Sequence, residues 1–446
     1  MLNWLKEQKL SIVLTIIGIL GYLLFAYKIV RTDYSELIVL YTVLFLVSFY
    51  LLKLNKNNLS YLIVISIVFR FLFLFAIPNL SQDFYRFIWD GRMILEGFNP
   101  YLFTPESFII KGEFPIAQAK ELYAGMGSLN GSHFTNYPPI NQLCFAIAGL
   151  FAGKSILGSA LVMRLLIIFA DVGILYFGIK LLKNLKLPVY SIFFYILNPF
   201  IIIELTGNLH FEAVMLFFVI WSLYLLHKQK WKLAAVVFAL SISVKLIPLI
   251  FLPLFFQKLG FKKSALFYGI VGLVNIALFA PFISLEFIIN YTKTVGLWFQ
   301  NFEFNASVYY IAREIGYLFR GYNEIAIIGK ILPVIVIVFI LIVTFFRKNK
   351  TIVEIITAML FVLSFYYFTS TTVHPWYIAT LLLLSVFTKY KFPLVWSFII
   401  IISYLAYANS ENKENLWIIS FEYLIVYSVL FYELIKHKRK QRHLLF

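Results

Sequence analysis

Charged residues are scarce in this chain: they make up 13% of its 446 residues, whereas hydrophobic residues make up 62%. Soluble domains carry about 25% charged residues, so a water-soluble globule of this composition could not cover its own surface. Polar or Pro/Gly-rich linkers are also missing, although the length alone would suggest several soluble domains. We therefore predict a single polytopic membrane domain over residues 1–446.

Cysteine is nearly absent, with Cys144 as the single example. This excludes an intramolecular disulfide and a metal site built from several thiolates. The first apolar run, residues 10–27, lacks a small-residue cleavage site. We interpret it as a retained first span rather than a removed signal peptide.

The net charge of +17 does not indicate nucleic acid as a partner. The basic residues occur in short clusters between apolar runs, which is typical of cytoplasmic loops facing anionic headgroups. The clusters lie in residues 53–56, 180–186, 228–232, 258–263, 347–350, 389–391 and 436–442. We therefore predict membrane lipids as partners and both chain ends inside. Lys28 and Arg31 fall outside in this scheme, against the positive-inside rule.

Apolar runs of the length needed to cross a bilayer, about 20 residues, recur along the chain. They predict an all-α membrane fold of about 12–14 helices, with two additional spans in 1–58, a core in 59–282 and C-terminal spans in 283–446. Two long outer segments follow, 80–154 and 284–324, the first with interfacial helices. Residues 139–153 are predicted to lie at the outer interface, and 233–257 to form a broken hairpin with Lys245 near its turn.

The first outer segment begins with SQDFYRFIWDGRMILEGFNPY, residues 81–101. Asp83 directly follows an apolar span, where desolvation can raise the pKa of a carboxyl group towards that of a useful base. Arg86 and Asp90 recur at helical spacing and could share a face with Asp83. The alternative is an interfacial helix whose charges face water.

Further ionisable residues occur at or near membrane depth. Lys245 indicates a cavity or a partner: either a bound phosphate, or a structural ion pair or a side chain that snorkels to the interface. The turn 204–212 could hold sugar hydroxyls or be a solvated connection. His374 begins another outer turn, whose aromatic residues could instead be interfacial anchors. For Arg164, Asp171 is a candidate partner.

The ordered motifs resemble the GT-C fold membrane glycosyltransferases, specifically the polyprenyl-phosphate-mannose-dependent mannosyltransferases. The resemblance runs from about residue 59 to 390. The matching residues are Asp83, Tyr85, Arg86, Trp89, Asp90, Gly91, Gly97, Asn99, Pro100 and Tyr101, then Tyr137-Pro138-Pro139, Leu197-Asn198-Pro199, Gly207-Asn208, Lys245 before Pro248, and His374-Pro375-Trp376-Tyr377.

The resemblance implies inverting transfer of one sugar, mannose by family default, from a polyprenyl-phosphate donor to a glycan, lipid or protein hydroxyl. It places the active site on the periplasmic face of a bacterial inner membrane, with Asp83 as catalytic base. The implied phosphate-binding residues are Lys245, His374, Arg313 and Arg86. The implied sugar- or acceptor-binding residues are Asp90, Asn99, Tyr137, Asn208, His210, Glu212, Trp376 and Tyr377.

No cofactor and no metal site are predicted, although a divalent cation is left open. Relatives that act on GPI anchors have D-x-D where this chain has Ser81-Gln82-Asp83, so the first carboxylate is missing. No nucleotide-binding loop occurs, which fits a lipid-linked donor. Two alternatives remain: a transporter of lipid-linked oligosaccharide or polysaccharide, and an O-antigen-type polymerase or ligase. A transporter needs no carboxylate base at the interface, so Asp83 separates these classes.

Overall fold

A computed structural model describes residues 2–300, 302–409 and 413–443. Within these ranges the chain is helical, and the β-type pairing is limited to an isolated parallel bridge between Phe304 and Thr372. The α-helices are α1 Leu2–Tyr27, α2 Tyr34–Asn55, α3 Leu59–Phe71, α4 Asp83–Leu95, α5 Pro105–Lys111, α6 Ala119–Gly131, α7 Pro139–Ala152, α8 Ile156–Asn184, α9 Phe193–Ile196, α10 Pro199–Ile201, α11 Glu212–His227, α12 Trp231–Val244, α13 Phe256–Phe279, α14 Leu285–Gln300, α15 Val308–Arg320, α16 Ile325–Phe346, α17 Ile352–Thr369, α18 Ile378–Val386, α19 Phe392–Ile399 and α20 Leu416–His443. Several of them are continued by 3-10 helices, at Val189–Ile192, Ile247–Phe255, Ala280–Phe282, Pro375–Tyr377 and Ile400–Ala408. A π-helix forms Ile202–Gly207.

Seven helices in the described chain are long and apolar enough to cross a membrane. They are Gln8–Tyr27, Tyr34–Asn55, Ile156–Asn184, Ile247–Phe282, Ile325–Phe346, Ile352–Thr369 and Leu416–Arg439. A pair bent by 48°, Val189–Ile196 with Pro199–Gly207, forms one further span if its halves are joined, and shorter apolar helices accompany these. The predicted all-α polytopic membrane fold is therefore confirmed.

The stretch around Lys245 has the predicted broken form. Helix α12 ends at Val244, Lys245 is extended, and a 3-10 helix over Ile247–Phe255 contains Pro248 and Pro253. Gly260, with φ of 72°, then separates this segment from the rest of α13. Because proline removes backbone donors and fixes φ, the chain cannot continue as a regular α-helix here.

The outer segment 80–154 folds into helices that pack on one another. Helix α4 packs against α6 and α7, and α7 also packs against α8. The W-D-G glycine has a steric role, since a Cβ on Gly91 would lie 2.2 Å from the Phe145 carbonyl oxygen. Two prolines fix the entry to α7, because Pro138 is extended and Pro139 occupies the first turn. Together these residues set the position of α4.

Two buried arginines brace the membrane helices, and one sequence prediction about them is wrong. Asp171 pairs with Arg70, at 2.7 Å, and not with Arg164. The Arg164 guanidinium instead donates to the carbonyl oxygens of Leu74, Thr206 and Gly207. Seven positions along a helix are two turns, too far for a direct pair, whereas the broken helix over 199–207 offers free carbonyls.

Candidate functional site

A cavity of about 950 Å³ lies where the outer segments meet the ends of the membrane helices. Its walls come from the start of α4, the end of α6, the turn before α11, the break after α12, and the segments 302–313, 366–377, 404–407 and 413–416. The predicted site residues that line it are Asp83, Tyr137, His210, Glu212, Lys245, Arg313, His374, Trp376 and Tyr377. Residues far apart in sequence therefore converge on one space.

Asp83 is the first residue of α4 and faces the cavity. Its Oδ1 accepts a hydrogen bond from Asn130 Nδ2 at 3.2 Å. Burial raises the pKa of the carboxyl group above its usual value, while the Asn130 hydrogen bond and the charges of Lys245 and Arg31 oppose that rise. A carboxylate whose pKa is raised is a stronger base than an ordinary aspartate and is suited to accept a proton.

Lys245 forms an ion pair with Glu212 across the cavity wall. The Nζ to Oε1 distance is 2.5 Å, and the Lys245 side chain keeps 20% of its surface exposed whereas Glu212 keeps 3%. The structural ion pair considered from the sequence is thus present. It leaves the other two ammonium protons available, because Lys carries three donors and Glu212 is the only hydrogen-bond partner of Nζ in the described chain.

Stacked aromatic rings form one wall of the cavity. Trp376 lies between His210, at a ring-centroid distance of 3.8 Å, and His374, at 4.6 Å. Phe304 stacks on the other side of His374 at 5.2 Å and is followed by Tyr407 at 5.9 Å. The wall thus joins four separate segments of the chain through contacts between their rings.

The two histidines of this wall are neutral. Burial, followed by the charge of Lys245, lowers the pKa of His374 to about 3. The same two causes, with His374, hold the pKa of His210 well below its usual value. Without an anionic ligand His374 therefore adds no positive charge to the cavity, although a neutral imidazole can still donate one hydrogen bond.

Arg313 lines the cavity but is already paired with carboxylates. It lies 2.6 Å from Glu303 and 3.0 Å from Glu314, with Cζ 4.4 Å from the Tyr310 ring centroid. Tyr310 in turn donates to Glu414. These contacts hold the second outer segment together at the rim of the cavity.

Four of the sequence-predicted site residues do not line the cavity. Arg86 pairs with Asp90 at 2.8 Å, and both are buried. Asn99 donates to the Phe282 carbonyl oxygen and accepts from the Tyr101 N–H, while Asn208 binds Glu204 and the Leu80 N–H. These residues form hydrogen bonds to buried backbone groups or pair with a buried charge, because buried polar groups need partners. They therefore fix the shape of the loops that carry the site.

Arg86 nonetheless acts on the site indirectly. Its Nη1 donates to the carbonyl oxygens of Asn130 and His133, at 2.6 and 2.7 Å. This fixes the loop whose Asn130 side chain donates to Asp83. The structure thus places Arg86 behind Asp83, with Asn130 between them.

Several residues that line the cavity were not among the sequence predictions. Arg31, Gln82, Asn130, Phe304 and Tyr407 all face it. Of these, only Arg31 carried a signal, because it violates the positive-inside rule. The others are ordinary polar or aromatic residues that acquire a role through tertiary contacts.

An apolar groove adjoins the cavity. It has a volume of about 350 Å³ and runs between the 3-10 helix Ile247–Phe255 and helix α16. Its lining is almost wholly apolar, from Leu249 and Pro253 to Ile337 and Ile340, and Tyr366 lines both the groove and the cavity. A molecule with a polar head and an apolar tail could occupy both spaces.

No group of three or more metal-binding side chains (His, Cys, Asp or Glu) occurs among the described residues. Asp83 has Ser81 two residues before it, whose Oγ accepts from the Asp83 N–H. A hydroxyl that caps the start of α4 thus occupies the position of a second carboxylate.

Comparison with known proteins identifies relatives. The family model described as alpha-(1->6)-mannopyranosyltransferase, N-terminal domain, matches residues 1–259, more than half of the chain. The match includes α1 and α2 as well as Asp83, Glu212 and Lys245. It ends before the segments that carry Arg313 and His374.

One similar protein is alpha-(1->6)-mannopyranosyltransferase A of Corynebacterium glutamicum. It is 24% identical to this chain over 184 residues, which are 40% of this chain and 35% of the relative. The alignment therefore spans about a third of the relative's length.

Proposed function

Because the chain belongs to the alpha-(1->6)-mannopyranosyltransferase family, we propose that it transfers mannose from a polyprenyl-phosphate donor to a glycan hydroxyl. The transfer takes place at the outer face of the membrane and inverts the anomeric carbon. One observation carries the proposal: a carboxylate and several cations share a cavity, and an apolar groove lies beside it with Tyr366 in the lining of both. No cofactor is invoked.

The chemical step needs a base and a stabilised leaving group. The acceptor oxygen attacks the anomeric carbon while Asp83 takes the proton of that hydroxyl. The bond between the anomeric carbon and the phosphate oxygen breaks, and polyprenyl phosphate leaves with the electron pair. Lys245 stabilises the charge on the phosphate, and neutral His374 donates a hydrogen bond to it. If the product is alpha-linked, inversion requires a beta-linked donor.

The apolar groove supports a lipid-linked donor. A nucleotide sugar would gain nothing from an apolar channel between Ile247–Phe255 and α16, whereas each buried CH₂ of a prenyl chain contributes about 0.8 kcal/mol. The groove meets the cavity at Tyr366. It thus leads the chain from the phosphate towards the membrane.

Membership of a mannopyranosyltransferase family favours transfer of a single sugar over transport and over polymerisation. The cavity adds a physical reason, because Asp83 faces it beside the cations. A fixed negative charge weakens the binding of an anionic cargo, and pure transport offers no compensating benefit. A base that accepts the acceptor's proton needs that charge.

The proposal can be tested with purified protein and a panel of polyprenyl-phosphate sugars, using a mannoside as acceptor. We expect release of polyprenyl phosphate with the mannosyl donor and an alpha-linked product. To test the groove, Ile337→Trp would fill it from an exposed position of α16. We expect KM to rise for a long-chain donor and to stay unchanged for a donor of two or three isoprene units.

A matched control is Val338→Trp, which enlarges an exposed residue of the same helix outside the groove. It should leave both donors unaffected. Equal KM changes for long and short donors would contradict the role of the groove. Movement of intact lipid-linked sugar across the membrane without cleavage would contradict the proposed transferase.

A further inference from the structure

The loop between α1 and α2 brings Arg31 to the cavity. In the predicted orientation this loop lies outside, where arginine is disfavoured. The family match includes this part of the chain, residues 1–259. The contacts of Arg31 show whether the residue serves the fold or a ligand.

Neutral groups hold the Arg31 guanidinium. Nη2 donates to Gln82 Oε1 at 3.1 Å, and Cζ lies 4.9 Å from the centroid of the Tyr407 ring. In the part of the chain that the structure describes, no carboxylate lies within the 4.0 Å of a salt bridge. A guanidinium has five N–H donors, so the contact with Gln82 leaves four for a ligand.

The other cations of the cavity differ in this respect. Lys245 is paired with Glu212, and Arg313 with Glu303 and Glu314. Lys413 also lines the cavity, but it is exposed. Arg31 is half-buried and keeps its charge without a carboxylate among the described residues. It therefore contributes positive potential where the other side chains are largely neutralised.

Arg31 also lies next to the chemistry. Its partner Gln82 directly precedes Asp83, caps the start of α4, and donates to the Met126 carbonyl oxygen at 2.9 Å. The hydrogen bond to Gln82 and the contact with the Tyr407 ring hold the guanidinium in place. Its remaining N–H donors can then face a ligand as a planar fork. Such a fork matches two oxygens of a phosphate.

We propose that Arg31 binds the phosphate of the lipid-linked donor and so makes the N-terminal hairpin α1–α2 part of the active site. This rests on the proposed function. The same chemistry could serve a phosphate on a lipid acceptor, and the experiment separates the two sources. Binding to the donor predicts that Arg31 holds the leaving group, polyprenyl phosphate, after transfer.

The test measures affinity of the full chain in lipid nanodiscs for two probes of equal chain length, polyprenyl monophosphate and neutral polyprenol. We expect Arg31→Gln to weaken binding of the phosphate about ten- to a hundred-fold, the usual effect of losing hydrogen bonds to a charged group. Binding of the polyprenol should not change. Arg31→Lys should lose less, because it keeps the charge but not the fork.

Lys28→Gln is the matched control, since it removes a cation from an exposed position of the same loop outside the cavity. It should behave as wild type. Equal weakening of both probes by Arg31→Gln would mean a structural role. Unchanged phosphate affinity would also overturn the proposal. With unchanged affinity, a fall in turnover would mean that Arg31 only positions Asp83 through Gln82. A rise in KM for a phospholipid acceptor alone would mean that Arg31 binds the phosphate of the acceptor.

The proposed function is tested separately by the wild-type protein in the same experiment. Wild type should bind polyprenyl phosphate more tightly than polyprenol. Absence of that preference would contradict the lipid-phosphate donor itself, before any variant is considered. A preference of undiminished size in Arg31→Gln would contradict only the role of Arg31.

Discussion

Replacing Asp83 by asparagine is the sharpest perturbation of the proposed chemistry. The amide is nearly the same size and can still accept the hydrogen bond that Asn130 donates at 3.2 Å, so the start of α4 should keep its position. It cannot take the acceptor's proton. Loss of a general base typically lowers the rate about a hundred- to ten-thousand-fold, and we expect kcat to fall within that range.

Donor binding should respond in the opposite direction. The Asp83 carboxylate faces the same cavity as Lys245 and Arg31 and repels an anionic phosphate. For charges about 8 Å apart, this repulsion is about 0.5–2 kcal/mol between the dielectric limits of water and a protein surface. Asp83→Asn should therefore bind the donor as tightly as wild type, or up to about thirty-fold more tightly.

The assay combines donor affinity with single-turnover release of polyprenyl phosphate. Glu96→Gln is a suitable control, because it removes an exposed carboxylate from the other end of the same helix. The pH profile adds an independent measurement. Since burial raises the pKa of Asp83, the rate should fall as pH decreases through a value above the usual range of aspartate. Near-wild-type release by Asp83→Asn would refute the assignment of the base.

Three further predictions test other parts of the structure. Lys245→Ala should lower the melting temperature, because it leaves the Glu212 carboxylate buried without its partner, and it should lower donor affinity, because it removes a cation from the cavity. Adding Glu212→Gln should restore the melting temperature alone. Recovery of donor affinity as well would mean that Lys245 has only a structural role. Asp171→Ala should lower thermal stability by about 3–5 kcal/mol through loss of a buried pair with KM unchanged, and a KM effect would connect that pair to the site. A cysteine at exposed Glu113 should react with an impermeant thiol reagent in intact cells, whereas one at exposed Lys348 should not; the reverse pattern would invert the proposed orientation.

The sequence was sufficient to predict the membrane class and the main features of the fold. Long apolar runs have few structural solutions in a bilayer, so the helices could be placed from composition and basic clusters. The break near Lys245 was also predictable, since Pro248 and Pro253 cannot continue a regular helix. These features depend on residues close to one another in sequence.

The site was predicted less completely. A sequence motif does not distinguish the residues that face a ligand from those that support the loop. Asp83 and Asp90 have the same side chain on one helix, yet only Asp83 faces the cavity. Asp90 is paired with Arg86. Likewise Phe304 and Tyr407 carry no local signal, and only the tertiary fold places both rings in one wall. Partner choice is a property of the packed structure.

The paired state of Lys245 illustrates why one contact can serve both stability and binding. An ammonium inside a membrane protein without a counter-charge is costly, and before the donor binds Glu212 supplies that counter-charge to Lys245. When the phosphate arrives, the remaining ammonium protons can bind it without breaking that pair, because one oxygen of Glu212 occupies only one donor. The ion pair and the phosphate site, which are alternatives in the sequence, are therefore compatible in the structure. The carboxylate orients the ammonium group, and the ligand uses the positive charge that Glu212 leaves incompletely balanced.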